Sequence, residues 1–241
     1  MALPKIEKKW YTTNLLLSGK EVKFRPFTIG EQKAIMLAKE SFDEQYKVYE
    51  AIIDMIQNCI SDETKINIKS LLPSEFEKLF YDIKSIADGN ILKFQVKCNN
   101  GDCGHSNEFE LDTQNDLVLK NKKTSQLKMA IEGSEILVCF DHLTLEKMLE
   151  VERQGHKSNE QKGFASLVKG LTKVIDGEEV FTDFTNEEAT KFVDDFDDVY
   201  LKKIIKYYES GPSMKNKKKF ICEKCEKEVV ISEGDIKNFL S

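Results

Sequence analysis

Residues 91–111 read ILKFQVKCNNGDCGHSNEFEL, and residues 219–231 read KFICEKCEKEVVI. In the first stretch Leu92, Phe94 and Val96 alternate with Lys93, Gln95 and Lys97, the period of a half-buried strand. That strand runs straight into Cys98. A Gly/Asn-containing turn carries Cys103, and Asn107–Leu111 returns as a second strand with Phe109 and Leu111 inside. The second stretch repeats the plan: Phe220-Ile221, then Cys222 and Cys225, then a strand at Val229-Val230-Ile231. Two cysteine-bearing turns between short strands are the halves of a zinc ribbon. Zn²⁺ favours four thiolates in a tetrahedron, and each turn supplies two. The expected ligands are Cys98, Cys103, Cys222 and Cys225. A site filled by four thiolates has no open position for water, which makes the metal structural rather than catalytic. His105 is left out because the shell is already complete. No thioredoxin-like βαβ unit surrounds Cys222-Glu223-Lys224-Cys225, so a redox role is disfavoured.

Working outward, the N-terminal part reads as a hairpin followed by three helices. The hairpin spans Thr12–Phe27, with Leu15–Leu17 in its first strand and Val22 and Phe24 in its second, and Pro26 ends it. Thr28 and Glu31 have capping-box spacing at the head of a helix reaching Ser41. Asp43 is placed to cap a second helix through Ile60. Ser74 and Glu77 suggest a capping box for a third, closed by Gly89. Past the first cysteine turn, Leu127–Ile131 and Glu135–Phe140 form another hairpin. Helices are expected at Leu145–Val151 and Ser158–Val174, then a tight turn at Asp176-Gly177. One long helix follows, from Thr185 through Tyr207. Gly211-Pro212 stops it, and Lys215–Lys219 reads as a basic loop.

The expected fold class is α+β. A helical N-terminal part (1–90) and an inserted, mainly helical domain (113–211) are joined by a zinc-ribbon-like β module built from 91–112 and 212–241.

Composition narrows function. The 241 residues carry 36 Lys+Arg against 42 Asp+Glu, a net charge of −6, so a generally basic nucleic-acid binder is disfavoured. The Lys215–Lys219 run has no interleaved aromatics, which favours a solvated loop or a contact to an acidic protein. No run is long and apolar enough for a membrane span, and no apolar segment follows the N-terminal lysines as in a secretory signal, pointing to a cytosolic chain. Six cysteines in that compartment are thiols or metal ligands rather than disulfides. Three histidines, His105, His142 and His156, stand in no catalytic pattern, and no phosphate loop or nucleophile elbow occurs. The run Asp194–Asp198 lacks the glycine of a Ca²⁺ loop and reads as the solvated face of a helix.

Four ordered segments resemble one family. FRPFTIGEQKAIMLAKES (24–41), QNCI (57–60), LLPSEFEKLFYDIKSIADG (71–89) and GPSMKNKKKFICEKCEKEVVISEGDIKNFL (211–240) are similar to the baseplate hub assembly proteins of T4-like tailed bacteriophages. The likeness covers Val22–Leu111 and Tyr207–Leu240. Asp112–Lys206 matches only in length and helical character. The resemblance implies a non-enzymatic assembly factor, chaperone or minor structural subunit of the baseplate hub. Its partners would be other hub or tail proteins, met in the host cytoplasm during assembly, with the virion baseplate as a further location. The competing class is a zinc-ribbon nucleic-acid-binding regulatory protein.

An assembly factor acts by binding. Arg25, one of two arginines, lies beside Phe24, Pro26 and Phe27, a setting that suits an interface anchor. The plainer reading puts Phe24 and Phe27 in the core and Arg25 in solvent. Phe239, in the apolar C-terminal segment, is the next candidate anchor.

Overall fold

In the computed structural model Pro4 and residues 6–42 and 44–229 are described. Phe239 and the end of the expected last strand lie outside them. The fold is mixed α/β, with seven α-helices and several small sheets among these residues.

Strands β1 (Tyr11–Asn14) and β2 (Glu21–Phe24) form the first hairpin. Leu15–Leu17 belong to its turn, where Leu15 is buried, not to a strand. Helix α1 (Ile29–Ser41) opens on the full Thr28/Glu31 capping box. Helix α2 (Gln45–Cys59) follows. Helix α3 (Pro73–Ser85) starts differently from expectation: Pro73 sits in its first turn, Leu72 is the N-cap, and no side chain caps it. Proline is pre-set for that position and has no N–H to satisfy, so the helix begins a residue before the Ser74/Glu77 pair can act.

Several residues of the motifs that carried the resemblance, in FRPF, QNCI and α3, join these elements. The Arg25 guanidinium is buried and forks onto Glu31, with Nη1–Oε2 at 2.8 Å and Nη2–Oε1 at 2.6 Å. It also donates to the carbonyl oxygens of Asn58 (3.0 Å) and Pro26 (3.1 Å). The backbone N–H of Arg25 donates to the Cys59 carbonyl, and Phe24 bridges to Ile60. Gln57 accepts from the Ile68 N–H and donates to the Ile66 carbonyl. FRPF and QNCI are thus two sides of one junction, between the hairpin and the end of α2. From α3, Glu75 accepts the N–H groups of Leu17 and Ser18, and Asp82 binds Thr13, Lys78 and Gln114.

Two of the candidate anchors, Phe24 and Arg25, are buried in the chain. Phe24 is core, Phe27 is half-buried against Phe80, and Arg25 is buried rather than solvated. An Arg25→Glu change would set a buried carboxylate against Glu31 and disturb the fold itself.

Strands β3 (Ile91–Lys97) and β4 (Ser106–Asp112) pair antiparallel along their whole length. Strand β5 (Leu117–Lys120) pairs with β10 (Ser213–Asn216). Part of the expected basic loop is therefore a strand, with Met214 buried and Lys215 opposite Val118.

The segment expected to be mainly helical holds a four-stranded antiparallel sheet in the order β6 (Leu127–Ala130), β7 (Ile136–Phe140), β8 (Leu171–Asp176), β9 (Glu179–Phe181). Helices α4 (Leu145–Arg153) and α5 (Asn159–Gly170) lie between β7 and β8, and α6 (Asn186–Asp194) and α7 (Asp198–Glu209) follow β9. The helix expected to reach Val174 stops at Gly170. A Cβ there would lie 1.6 Å from the Tyr208 hydroxyl, and β-branched Thr172, Val174 and Ile175 continue as strand. The single long helix after Thr185 is two. Asp197 accepts from the N–H groups of Val199 and Tyr200 and caps α7, so the acidic run is a helix junction.

Two apolar clusters result. The larger gathers the hairpin, α2, α3, β3, β4, part of α4, and Met214, Phe220 and Val229 from the C-terminal strands. The smaller lies between the four-stranded sheet and α5–α7, around Val138, Phe140, Val168, Val193 and Ile204.

Candidate metal centre

Each cysteine pair is held by its own turn. At the end of β3 the Cys98 N–H donates to the His105 carbonyl (2.7 Å), and the Cys103 N–H to the Asn100 carbonyl (3.1 Å). Gly101 and Gly104, at φ 51° and 53°, take the left-handed corners of this turn. Near the C-terminus, strands β11 (Phe220–Ile221) and β12 (Glu228–Val229) pair around the second turn. There the Cys222 N–H donates to the Lys227 carbonyl and the Glu226 N–H to the Cys222 carbonyl, both at 2.9 Å.

Side chains bring the two turns together. Phe220 lies 4.5 Å from Phe109 and 5.7 Å from Phe94, centroid to centroid. Asn100 donates to the Glu228 carbonyl (2.9 Å), and Asn107 Oδ1 accepts the Glu223 N–H (2.9 Å). The second amide end of Asn107 donates to the His105 carbonyl, so this buried side chain is paired at both ends.

The four sulfurs converge as a result. Cys98 Sγ is 3.6 Å from Cys225 Sγ, Cys103 Sγ is 3.8 Å from Cys222 Sγ, and all four lie within 4.8 Å of one another. Four thiolates at a Zn–S distance of about 2.3 Å stand about 3.8 Å apart on a tetrahedron. The Cys98–Cys225 and Cys103–Cys222 separations match that edge and are far too long for disulfide bonds.

The electrostatics suit a cation. At Cys222 burial opposes ionisation, yet the N–H groups of Cys225 and Lys224, with help from Cys225 and Asn107 side chains, hold the thiol at about 6. Cys225 moves the other way, to about 11: the Lys227 N–H favours its thiolate, but burial and the crowded sulfurs of Cys98, Cys222 and Cys103 outweigh it.

The sequence reading named all four sulfurs but neither Asn100 nor Asn107. A signal for Asn107 was present: it shares the inward parity of Phe109 and Leu111, a polar residue in an otherwise apolar row. Elsewhere, an apolar cleft of about 880 Å³ opens between α5, α7 and the start of α3, and none of the cysteines lines it. At its wall His142 stacks on Tyr207 (4.3 Å between centroids), and burial lowers its pKa.

Comparison with known proteins adds the context of this clasp. Neither the curated proteins nor the solved structures gave a match. One protein-family model does match, that of the T4 bacteriophage base plate protein, and it spans residues 8–241, from the first hairpin through both cysteine turns. The chain belongs to the T4 bacteriophage base plate protein family.

Proposed function

We propose that this base plate protein is a non-enzymatic hub assembly factor or minor hub subunit. On this reading it works by binding other hub or tail proteins in the host cytoplasm, and a structural Zn²⁺ on Cys98, Cys103, Cys222 and Cys225 sets its shape. The observation that carries the reading is the convergence of four sulfurs, from turns 119 positions apart, at tetrahedral separations. Such a shell is closed, so the metal organises the chain rather than activating water. The family match supports a base plate role. The hub assignment draws on the four segments that resemble hub assembly proteins, and residues of these segments join the hairpin to α2 and α3 and carry the Cys222 and Cys225 turn. With 91–112 and 212–241 acting as one ribbon-like module, metal binding ties the N-terminal part to the strands that follow α7.

The test is co-expression of the tagged chain with individual hub and tail subunits, with metal analysis of what is recovered. A defined complex with a hub subunit, carrying about one Zn²⁺ per chain, is the expected result. Recovery with an outer base plate subunit and no hub subunit would overturn the hub assignment. A salt-sensitive shift of DNA would favour the regulatory class instead.

A further inference from the structure

The four-stranded sheet ends at β9, which pairs with β8 on one side and with no strand on the other among the described residues. Asp176 and Glu179 close the two-residue turn Gly177-Glu178, with Gly177 at φ 56°. Hydrogen-bonded pairs alternate along an antiparallel ladder, so with that pair bonded the N–H and C=O of Val180 point away from β8. The side chains are open too: Val180 is 56% and Phe181 46% exposed.

Proteins normally cover such an edge or guard it with charge. Here the charge is of one sign. Between Val174 and Tyr200 the chain has ten carboxylates and a single basic residue, Lys191, more negative charge than the whole chain's net −6. Glu179 within the strand, and Glu178 and Asp183 on either side of it, are exposed and form no ion pair among the described residues. A second copy would bring its own carboxylates against these, and nucleic acid would be repelled.

We propose that β9 receives an extended, lysine- or arginine-rich segment of another protein as a fifth strand of the sheet. The occupant's backbone pairs with Val180, its apolar side chains cover Val180 on one face, and its cations meet Glu179 on the other, beside Glu178 and Asp183, with their aliphatic stems over Phe181. Alternation along a strand supplies both kinds of side chain from one segment. The inference rests on the sheet and its charge, not on the hub assignment.

The test uses the purified full-length chain and a short fluorescent peptide alternating lysine and valine, with a glutamate–valine peptide as control. The lysine peptide binds, the control does not, and amide exchange at Val180 slows on binding. Val180→Pro removes the outward N–H yet keeps every carboxylate, and weakens binding about tenfold. The triple variant Glu178→Gln, Glu179→Gln, Asp183→Asn keeps the edge and weakens binding to a similar degree. Unchanged binding by Val180→Pro would mean diffuse charge attraction without strand addition and would overturn the proposal. Unchanged binding by the triple variant would refute a basic occupant. Slowed exchange at β9 with rising protein concentration and no peptide would assign the edge to a second copy.

Discussion

Replacing Cys222 by serine should cost far more stability than the loss of one buried thiol. The Cys103–Cys222 pair joins residues 119 positions apart. Closing a loop of that length removes about 5 kcal/mol of unfolded-state freedom at 25 °C in a chain-entropy description. Part of the closure survives metal loss, because Phe220 still packs on Phe109 and β10 still pairs with β5. We therefore expect a net loss of about 3 kcal/mol, or about 6–12 °C in Tm for a chain of this size. The assay is thermal unfolding with metal analysis of the same sample, run on the parent chain, the parent with chelator, Cys222→Ser and Cys59→Ser. Cys59 is buried, with its thiol pushed up to about 12 chiefly by burial, and lies outside the cluster. It is the control that should keep its metal. Cys222→Ser and chelation should lower Tm together and not additively. A metal-free parent chain as stable as a zinc-loaded one would refute the reasoning, as would a Cys222→Ser protein that retains full metal.

Glu31 should confer acid sensitivity. The Arg25 guanidinium, reinforced by the Thr28 N–H and hydroxyl, outweighs burial and holds its carboxyl at about 2, against an ordinary 4.5. Its stabilisation is complete above pH 4.5 and fades as pH falls toward 2; screening at a partly exposed carboxylate leaves about 1–2 kcal/mol. Glu31→Gln should flatten that part of the pH–stability curve and cost about 3 kcal/mol at neutral pH by stripping the buried Arg25 of its counter-charge. Asn107→Leu should cost about 2 kcal/mol by leaving the Glu223 N–H without its acceptor and the His105 carbonyl with one donor instead of two, and should loosen zinc binding, read by chelator competition. Trypsin should cut first at Lys122–Lys123, in the exposed link between β5 and β6, and spare Lys215 in β10. The nicked halves should stay together on a sizing column, because β5–β10 pairing and the Phe109–Phe220 contact join them as well as the cysteine turns.

The reading of ILKFQVKC and ICEKC succeeded because both determinants are local. A period-two pattern and a short cysteine spacing do not depend on what the rest of the chain does. Thr28/Glu31 was legible for the same reason. The Ser74/Glu77 box failed because a stronger local rule, Pro73 at the start of a helix, acted one residue earlier. Leu171–Val174 was assigned to a helix because its apolar content fits either period. Tyr208, distant in sequence, fills the space at Gly170, a close approach that no local pattern announces. Arg25 shows the harder limit. Its aromatic neighbours were visible, but whether they face a partner or an interior depends on Glu31 and Asn58, and only the fold brings Asn58 there. Asn107 was hidden by the expectation that inward strand positions are apolar.

The clasp and the open edge belong to different parts of the molecule. The cysteines tie β3–β4 to β11–β12, and their neighbours Phe94, Phe109 and Phe220 belong to the larger cluster. The sheet ending in β9 is built on the smaller cluster, which contains none of the four sulfurs. Metal loss should therefore raise amide exchange in β10–β12 and leave β7 and β8 protected, because local opening follows the contacts that hold each unit. A base plate subunit built this way can have its C-terminal strands loosened while the sheet that presents β9 stays formed. If stripping zinc instead collapsed protection across β7 and β8, the two clusters would be one cooperative unit, and the metal would govern the acidic edge as well.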